Sequence, residues 1–174
     1  MVELEQLKYP IGTFTRMSGP LRSDERAPLI HDIAQAPAMF RSLVSGLTDA
    51  QLNKPYRPGG WTVRQVVHHM PDSHMNAYVR FKLAATEENP TIKPYKEARW
   101  AELTDGRTEP IGVSLDLLEA LHTRWVVFLR SLSDGDFSRT FFHPEMKSTV
   151  TLDQTLVIYA WHGNHHAAHI RNAL

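Results

Sequence analysis

The stretch "GGWTVRQVVHHMPDSH", Gly59 to His74, decides what kind of fold this chain adopts. Thr62 stands three residues before Gln65 and just past a Gly-Gly hinge, with Trp61 between. That pair is a capping box: the Thr hydroxyl accepts the backbone N–H of the third helical residue, and the Gln side chain reaches back to the N–H of the Thr. Val63, Val66, Val67 and Met70 then recur at steps of three and four, the period of a helix and not of a strand. The spacing predicts a helix to about Thr86, bent midway where Pro71 removes a hydrogen bond.

The same signals recur outward from there. "TDAQL" (Thr48 to Leu52) and "TLDQ" (Thr151 to Gln154) repeat the capping box, and the second opens a last helix that runs through "WHGNHHAAHI", Trp161 to Ile170. Ser23 with Asp24 and Glu25 starts a helix toward Leu47, which Pro37 should kink or split. Ser114 is the expected cap of a helix whose apolar face is Leu118, Leu121, Trp125, Phe128 and Leu132. The opening "YPIGTFTRMSGPLRSDERAP" is rich in Pro, Gly and Ser, and residues 1 to about 22 are expected to form an irregular lead-in. Between Thr86 and Gly112 lies a polar connection with three prolines, long enough to cross over the bundle or to lie as a lid over a site. "DFSRTFFHPEMKSTVT" carries the β-formers of a short hairpin turning near "HPEMK". The expectation is an all-α chain: one domain over residues 1–174, a four-helix bundle with a long crossover loop and a small hairpin.

Composition excludes several function classes. Nineteen Lys and Arg balance nineteen Asp and Glu and the basic residues are scattered, so no basic field for nucleic acid is expected. Cysteine is absent, which removes disulfides and thiolate metal sites. The first residues have neither the basic nor the apolar region of a signal peptide, and no run of about 18 apolar residues could span a membrane. A cytoplasmic address is the expectation.

Four of the ten histidines fall in "WHGNHHAAHI". At about 100° per residue, His162, His165, His166 and His169 occupy an arc of roughly 100° on one helix face. Imidazoles buried together need partners for their nitrogens, and a metal ion satisfies several acceptors at once. Two i,i+4 pairs can each hold an ion, His162 with His166 and His165 with His169, and spacing does not choose between them. A third ligand is available from His68, His69 or His74; His68 and His69 point about 100° apart, so one of them faces the bundle axis. Asp72 could ligate or hold a ring from behind. Asp72, Arg64 and Asn164 adjoin these histidines and are candidates for acid–base or orienting work, each with a plainer reading as a solvated or supporting group. Glu119 to His122 has the Glu-x-x-His spacing of a di-iron bundle, but in a single copy, and reads as an exposed helix turn. No G-x-S-x-G elbow and no Gly-rich phosphate loop is present, and the four tryptophans read as core.

With "YPIG", "PYRPGGWTVRQVVHHMPDSHMNAYVRFKL" and "WHGNHHAAHI" together, the chain resembles the DinB-like superfamily and, within it, the YfiT type of metal-dependent hydrolase. The resemblance covers almost the whole length. It implies a four-helix bundle holding one divalent metal ion per chain, zinc foremost and nickel as the alternative. It further implies that the ligands are His69, His165 and His169, with His162 and His166 flanking the site. Three functions are compatible with it: a hydrolase that activates water on a small-molecule substrate, a thiol S-transferase using bacillithiol or a similar small thiol, or a metal-binding bundle without catalysis. A homodimer is implied as well.

Overall fold

A computed structural model describes residues 2–174 of the chain. In order the elements are α1 (Val2–Lys8), α2 (Ser23–Val44), α3 (Asp49–Leu52), α4 (Val63–Thr86), α5 (Glu97–Trp100), α6 (Thr104–Thr108), α7 (Ile111–Ser131), α8 (Asp134–Phe137), β1 (Thr140–His143), β2 (Ser148–Thr151) and α9 (Leu152–Ala173). The long helices α2, α4, α7 and α9 form the bundle: α2 packs on α7 and α9, and α4 packs on the same two. All three capping boxes form as expected, at Thr48, Thr62 and Thr151. The hairpin is also present, with Phe141 opposite Val150 and the turn at residues 144–147.

Three expectations are corrected. The lead-in is helical over Val2–Lys8 before it becomes irregular. Pro37 does not split α2, which also carries Pro28, and α4 runs through Pro71 to Thr86 as expected. Proline's fixed φ is helical, so each costs a hydrogen bond and a steric adjustment that burial of the surrounding face can outweigh. Ser114 does not cap α7, which begins three residues earlier behind Pro110; its hydroxyl instead meets His68 Nδ1 at 2.7 Å.

Two apolar clusters fill the bundle. One holds Ile33, Phe81, Trp125, Leu129, Leu152 and Leu156; the other holds Phe40, Val63, Val67, Met70, Leu118 and Ile170. Cluster membership gives the helix directions: α2 and α9 run from the first cluster to the second, α4 and α7 the opposite way. Between the clusters each helix contributes a short interval, which carries His74 on α4, His122 on α7 and His162 to His166 on α9, with His69 at its edge beside Met70. The bundle therefore has a histidine layer between two dry halves. Small residues let the helices approach there: a Cβ on Gly163 would stand 3.7 Å from Ala36 Cβ.

The segment between α4 and α7 is the expected long connection, and it is anchored. Ile92 N–H donates to the Phe142 carbonyl and Phe142 N–H to that of Pro90, so the connection lies along the hairpin. Gln65 Nε2 donates to the Ala101 carbonyl at 2.8 Å. At the other end of the molecule, Arg26, only 4% exposed, grips Asp153 at 2.7 and 3.1 Å and also pairs with Asp134. Asp153 in turn accepts the N–H of Leu21 at 2.9 Å, which fixes the end of the lead-in to the start of α9. No helix among the described residues is long and apolar enough to cross a membrane.

Candidate metal centre

Where α4 and α9 face each other in the histidine layer, His69 Nε2 lies 3.3 Å from His162 Nε2. One ring nitrogen from each of His69, His162 and His166 falls within 4.8 Å of the others. These rings stand at the base of a cleft of about 630 Å³. Trp61 leans over His69 with centroids 4.7 Å apart and lies nearly parallel to His166 at 6.3 Å. Burial depresses the His69 pKa to about 4, and burial together with the neighbouring imidazoles holds His162 and His166 well below the ordinary histidine value. All three are thus neutral at neutral pH, each with one ring nitrogen bearing a lone pair. Three converging neutral imidazoles with no thiolate and no carboxylate suit zinc or nickel, and do not suit the all-oxygen preference of magnesium or calcium. The residues present fit a divalent ion of that kind, with room on the cleft side for a further ligand.

The pair implied by resemblance is not the pair that converges with His69. His165 and His169 sit roughly 60° round the helix from His162 and His166. That rotation turns them toward the N-terminal lead-in and the Pro55–Gly60 loop. His165 stacks on Trp161 at 4.3 Å and lies 6.2 Å from the Tyr9 ring, and its buried Nδ1 has no hydrogen-bond partner. His169 stacks on Tyr56 at 3.9 Å, and its Nε2–H donates to the Lys8 carbonyl at 3.1 Å. Both rings line the cleft wall. His69 is the member of the implied set that stands in the three-nitrogen cluster.

The remaining candidates lie elsewhere. Arg64 is buried in a structural clamp, donating to Asp49 at 2.8 Å, Asn53 at 3.3 Å and the Glu109 carbonyl at 2.9 Å. Asn164 faces α2, where its amide reaches Asp32 at 3.3 Å. Asp72 is half-buried and its carboxyl is raised to about 6 by burial and by Asp105, which places it on the α6 side of α4 and not in the cleft. His68 ties the connection to the bundle through Ser114 and the Glu109 carbonyl.

Several residues that the sequence misplaced or left open belong to the site. His122 is 1% exposed, not on an outward turn; Glu119 is the outward one, paired with Arg41. The signal was in the stripe Leu115, Leu118, His122, Trp125 and Leu129, whose steps of three and four place the histidine amid core positions. His74 is fully buried and sits between His122 and His162, at 2.9 and 3.1 Å. Ser73 and Tyr95 line the cleft; the Ser73 hydroxyl faces the Tyr95 phenol and also that of Tyr159, which does not line it, and burial keeps both phenols protonated. Arg80 approaches Tyr159 Oη at 3.4 Å, lines the same cleft, and pairs with no carboxylate among the described residues. Of the tryptophans, Trp125 is core, Trp61 and Trp161 wall the cleft, and Trp100 is 39% exposed.

Comparison with known proteins gives a consistent set of relatives. Residues 32–170 match the family model described as the DinB superfamily. The protein named "Putative metal-dependent hydrolase YfiT" of Bacillus subtilis is 48% identical, over 94% of this chain and 92% of its own. "Putative metal-dependent hydrolase BcerKBAB4_2443" of Bacillus mycoides is 52% identical, over 96% and 95%. The solved structure of YfiT from Bacillus subtilis, described as a probable metal-dependent hydrolase with an unusual four-helix bundle topology, superposes with a TM-score of 0.93 over 95% of this chain and 94% of that one, at 48% identity.

Proposed function

The chain belongs to the DinB superfamily, and from that premise we propose that it is a metal-dependent enzyme, a hydrolase acting on a small-molecule substrate, with His69, His162 and His166 as the metal ligands. The observation that carries this reading is the convergence of three neutral imidazole nitrogens within 4.8 Å at the base of an open cleft. The names of the relatives support it. One zinc ion per chain is the proposed occupant, with nickel the alternative, because imidazole donors serve both. Bound there, such an ion supplies Lewis acidity and lowers the pKa of a ligand taken from solution, whether water or a thiol.

The residues of the chain then divide the remaining work. Trp61 and Trp161 exclude water from the two sides of the cleft floor and offer flat apolar walls. Tyr95, which lines the cleft, remains a hydrogen-bond donor across the working pH range, suited to a carbonyl or developing alkoxide oxygen on the substrate. Arg80, free of a carboxylate partner among the described residues, is placed to hold an anionic group of the substrate against that wall.

A second reading keeps the site and changes the nucleophile to an external low-molecular-weight thiol, since the chain has no cysteine of its own. The basic residues Lys8, Arg57 and Arg80 outnumber the acidic Glu97 and Glu145 around the cleft, which favours a thiol that carries carboxylates. We extend the proposal to a homodimer in the cytoplasm. The test is a panel of activated esters and amides, and of alkylating electrophiles with and without added thiols. It is run with zinc-loaded and chelator-treated protein. Metal-dependent turnover without thiol supports the hydrolase, and turnover requiring a thiol supports the transferase. Binding of the ion with no turnover in either arm leaves a metal-binding bundle and overturns the enzyme reading.

A further inference from the structure

The nitrogen-to-nitrogen contacts of the histidine layer dictate tautomers, because a backbone carbonyl can only accept. His122 Nδ1 lies 2.6 Å from the Ile33 carbonyl and must carry the proton. In the neutral ring its Nε2 is then an acceptor, and His74 Nδ1, 2.9 Å away, is the donor to it. His74 Nε2 is left with a lone pair, so His162 Nδ1, at 3.1 Å, donates. The only lone pair remaining on His162 is at Nε2, the atom that faces His69. The same logic runs along the outer side of α9. His169 donates from Nε2 to the Lys8 carbonyl at 3.1 Å, so its Nδ1 accepts from His166 Nδ1 at 3.3 Å, and His166 too retains its lone pair at Nε2.

We propose that His74, His122 and His169 are positioning residues: two imidazole chains, each anchored on a backbone carbonyl, preset His162 and His166 with Nε2 free for a metal ion. This rests on the three-histidine centre proposed above. Metal-bound histidines ordinarily give their second N–H to a carboxylate, a carbonyl or water. Here other histidines stand in that position, which accounts for the buried His74–His122 pair and for a task at His169 other than ligation. His69 has no such chain among the described residues and supplies the proton between the two Nε2 atoms; a cation binding there displaces it to Nδ1. The polar rings are bonded along their length, so the layer crosses an otherwise apolar bundle without leaving these donors unpaired.

The first test is long-range proton–nitrogen NMR on the metal-free, full-length protein with labelled histidines. The expected spectrum has His74, His122, His162 and His166 protonated at Nδ1 and His169 at Nε2. Finding His162 or His166 protonated at Nε2 overturns the proposal. The second test measures zinc and nickel affinity by chelator competition for His74→Phe and His74→Gln. The phenylalanine variant should bind about 10- to 100-fold more weakly, the usual effect of losing such a support. Glutamine, which can accept from His162 and donate to His122, should recover most of that loss. An unchanged affinity in His74→Phe, or an equal loss in both variants, overturns the proposal; should His74→Phe not fold, the wild-type spectrum and the His74→Gln affinity decide. Failure of the wild type to bind either metal removes the metal centre and the positioning role together. Metal binding with the wrong tautomers removes only the positioning role.

Discussion

The two i,i+4 histidine pairs of α9 are chemically alike, overlap in sequence, and do different things. His162 and His166 turn into the bundle and meet His69 across the α4–α9 groove. His165 and His169 turn toward the lead-in, where each ring lies flat on an aromatic neighbour, Trp161 and Tyr56. A rotation of roughly 60° along one helix separates them. A ligand motif is therefore chosen by what packs opposite it and not by its spacing. The outer pair is bound to the inner one by the His169–His166 contact, so it supports the site while standing outside it.

The largest expected contrast lies between losing the inner pair and losing His165 of the outer one. His162→Ala with His166→Ala should lower zinc affinity on the order of a thousandfold or more, since a ligand contributes beyond the 10- to 100-fold of a supporting residue. His165→Ala alone should change it by less than about threefold. Equilibrium competition against a chelator reads both, and equal losses would break the comparison.

A core variant sharpens the contrast from the other direction. Leu156 is fully buried in the first apolar cluster, and Leu156→Ala should cost about 2–5 kcal/mol in urea unfolding. Its metal stoichiometry should stay that of the wild type as long as it is folded. Loss of metal together with stability would mean that the layer and the dry halves do not act separately.

Acid should weaken the layer before it weakens the dry halves. His69 and His122 are held at about 4 by burial, against an ordinary value of 6.5. Between those values the unfolded chain takes up protons that the folded chain refuses. The metal-free protein is therefore expected to hold its full stability above pH 6.5 and to lose it as the pH falls toward 4, by about 1.4 kcal/mol per pH unit for each such histidine. Urea midpoints at pH 7.5 and pH 5 test this, and a pH-independent midpoint contradicts it.

The smallest effect is expected at Gly163, between His162 and Asn164. A Cβ there meets Ala36 Cβ at 3.7 Å, an ordinary contact, so Gly163→Ala should raise stability by up to about 1 kcal/mol through helix propensity. A fall in stability would show that the inner face of α9 packs more tightly than this contact indicates.

Much of the architecture was legible in the sequence because it is written in local chemistry. Thr48, Thr62 and Thr151 each announce a helix start through a residue three positions on, and the apolar steps after Thr62 fix a helical period. What was not legible depends on partners distant in the chain. Pro37 looks like a break until the helix around it is found buried at Ile33, Ala36 and Phe40. Ser114 looks like a cap until His68 is found to hold it. His122 looks like half of an exposed pair until Trp125 and Leu129 establish that its face is the core. The choice within α9 is the same kind of problem: it turns on the angle at which α9 meets α4, a tertiary quantity absent from any one helix.

The most direct test of the ligand assignment is anomalous diffraction at the zinc edge from crystals of the zinc-loaded, untagged protein. One peak per chain is expected, bonded to His69, His162 and His166 through Nε2, with His165 and His169 still against Trp161 and Tyr56. A peak held by His165 and His169 would contradict it and restore the outer pair as the ligands.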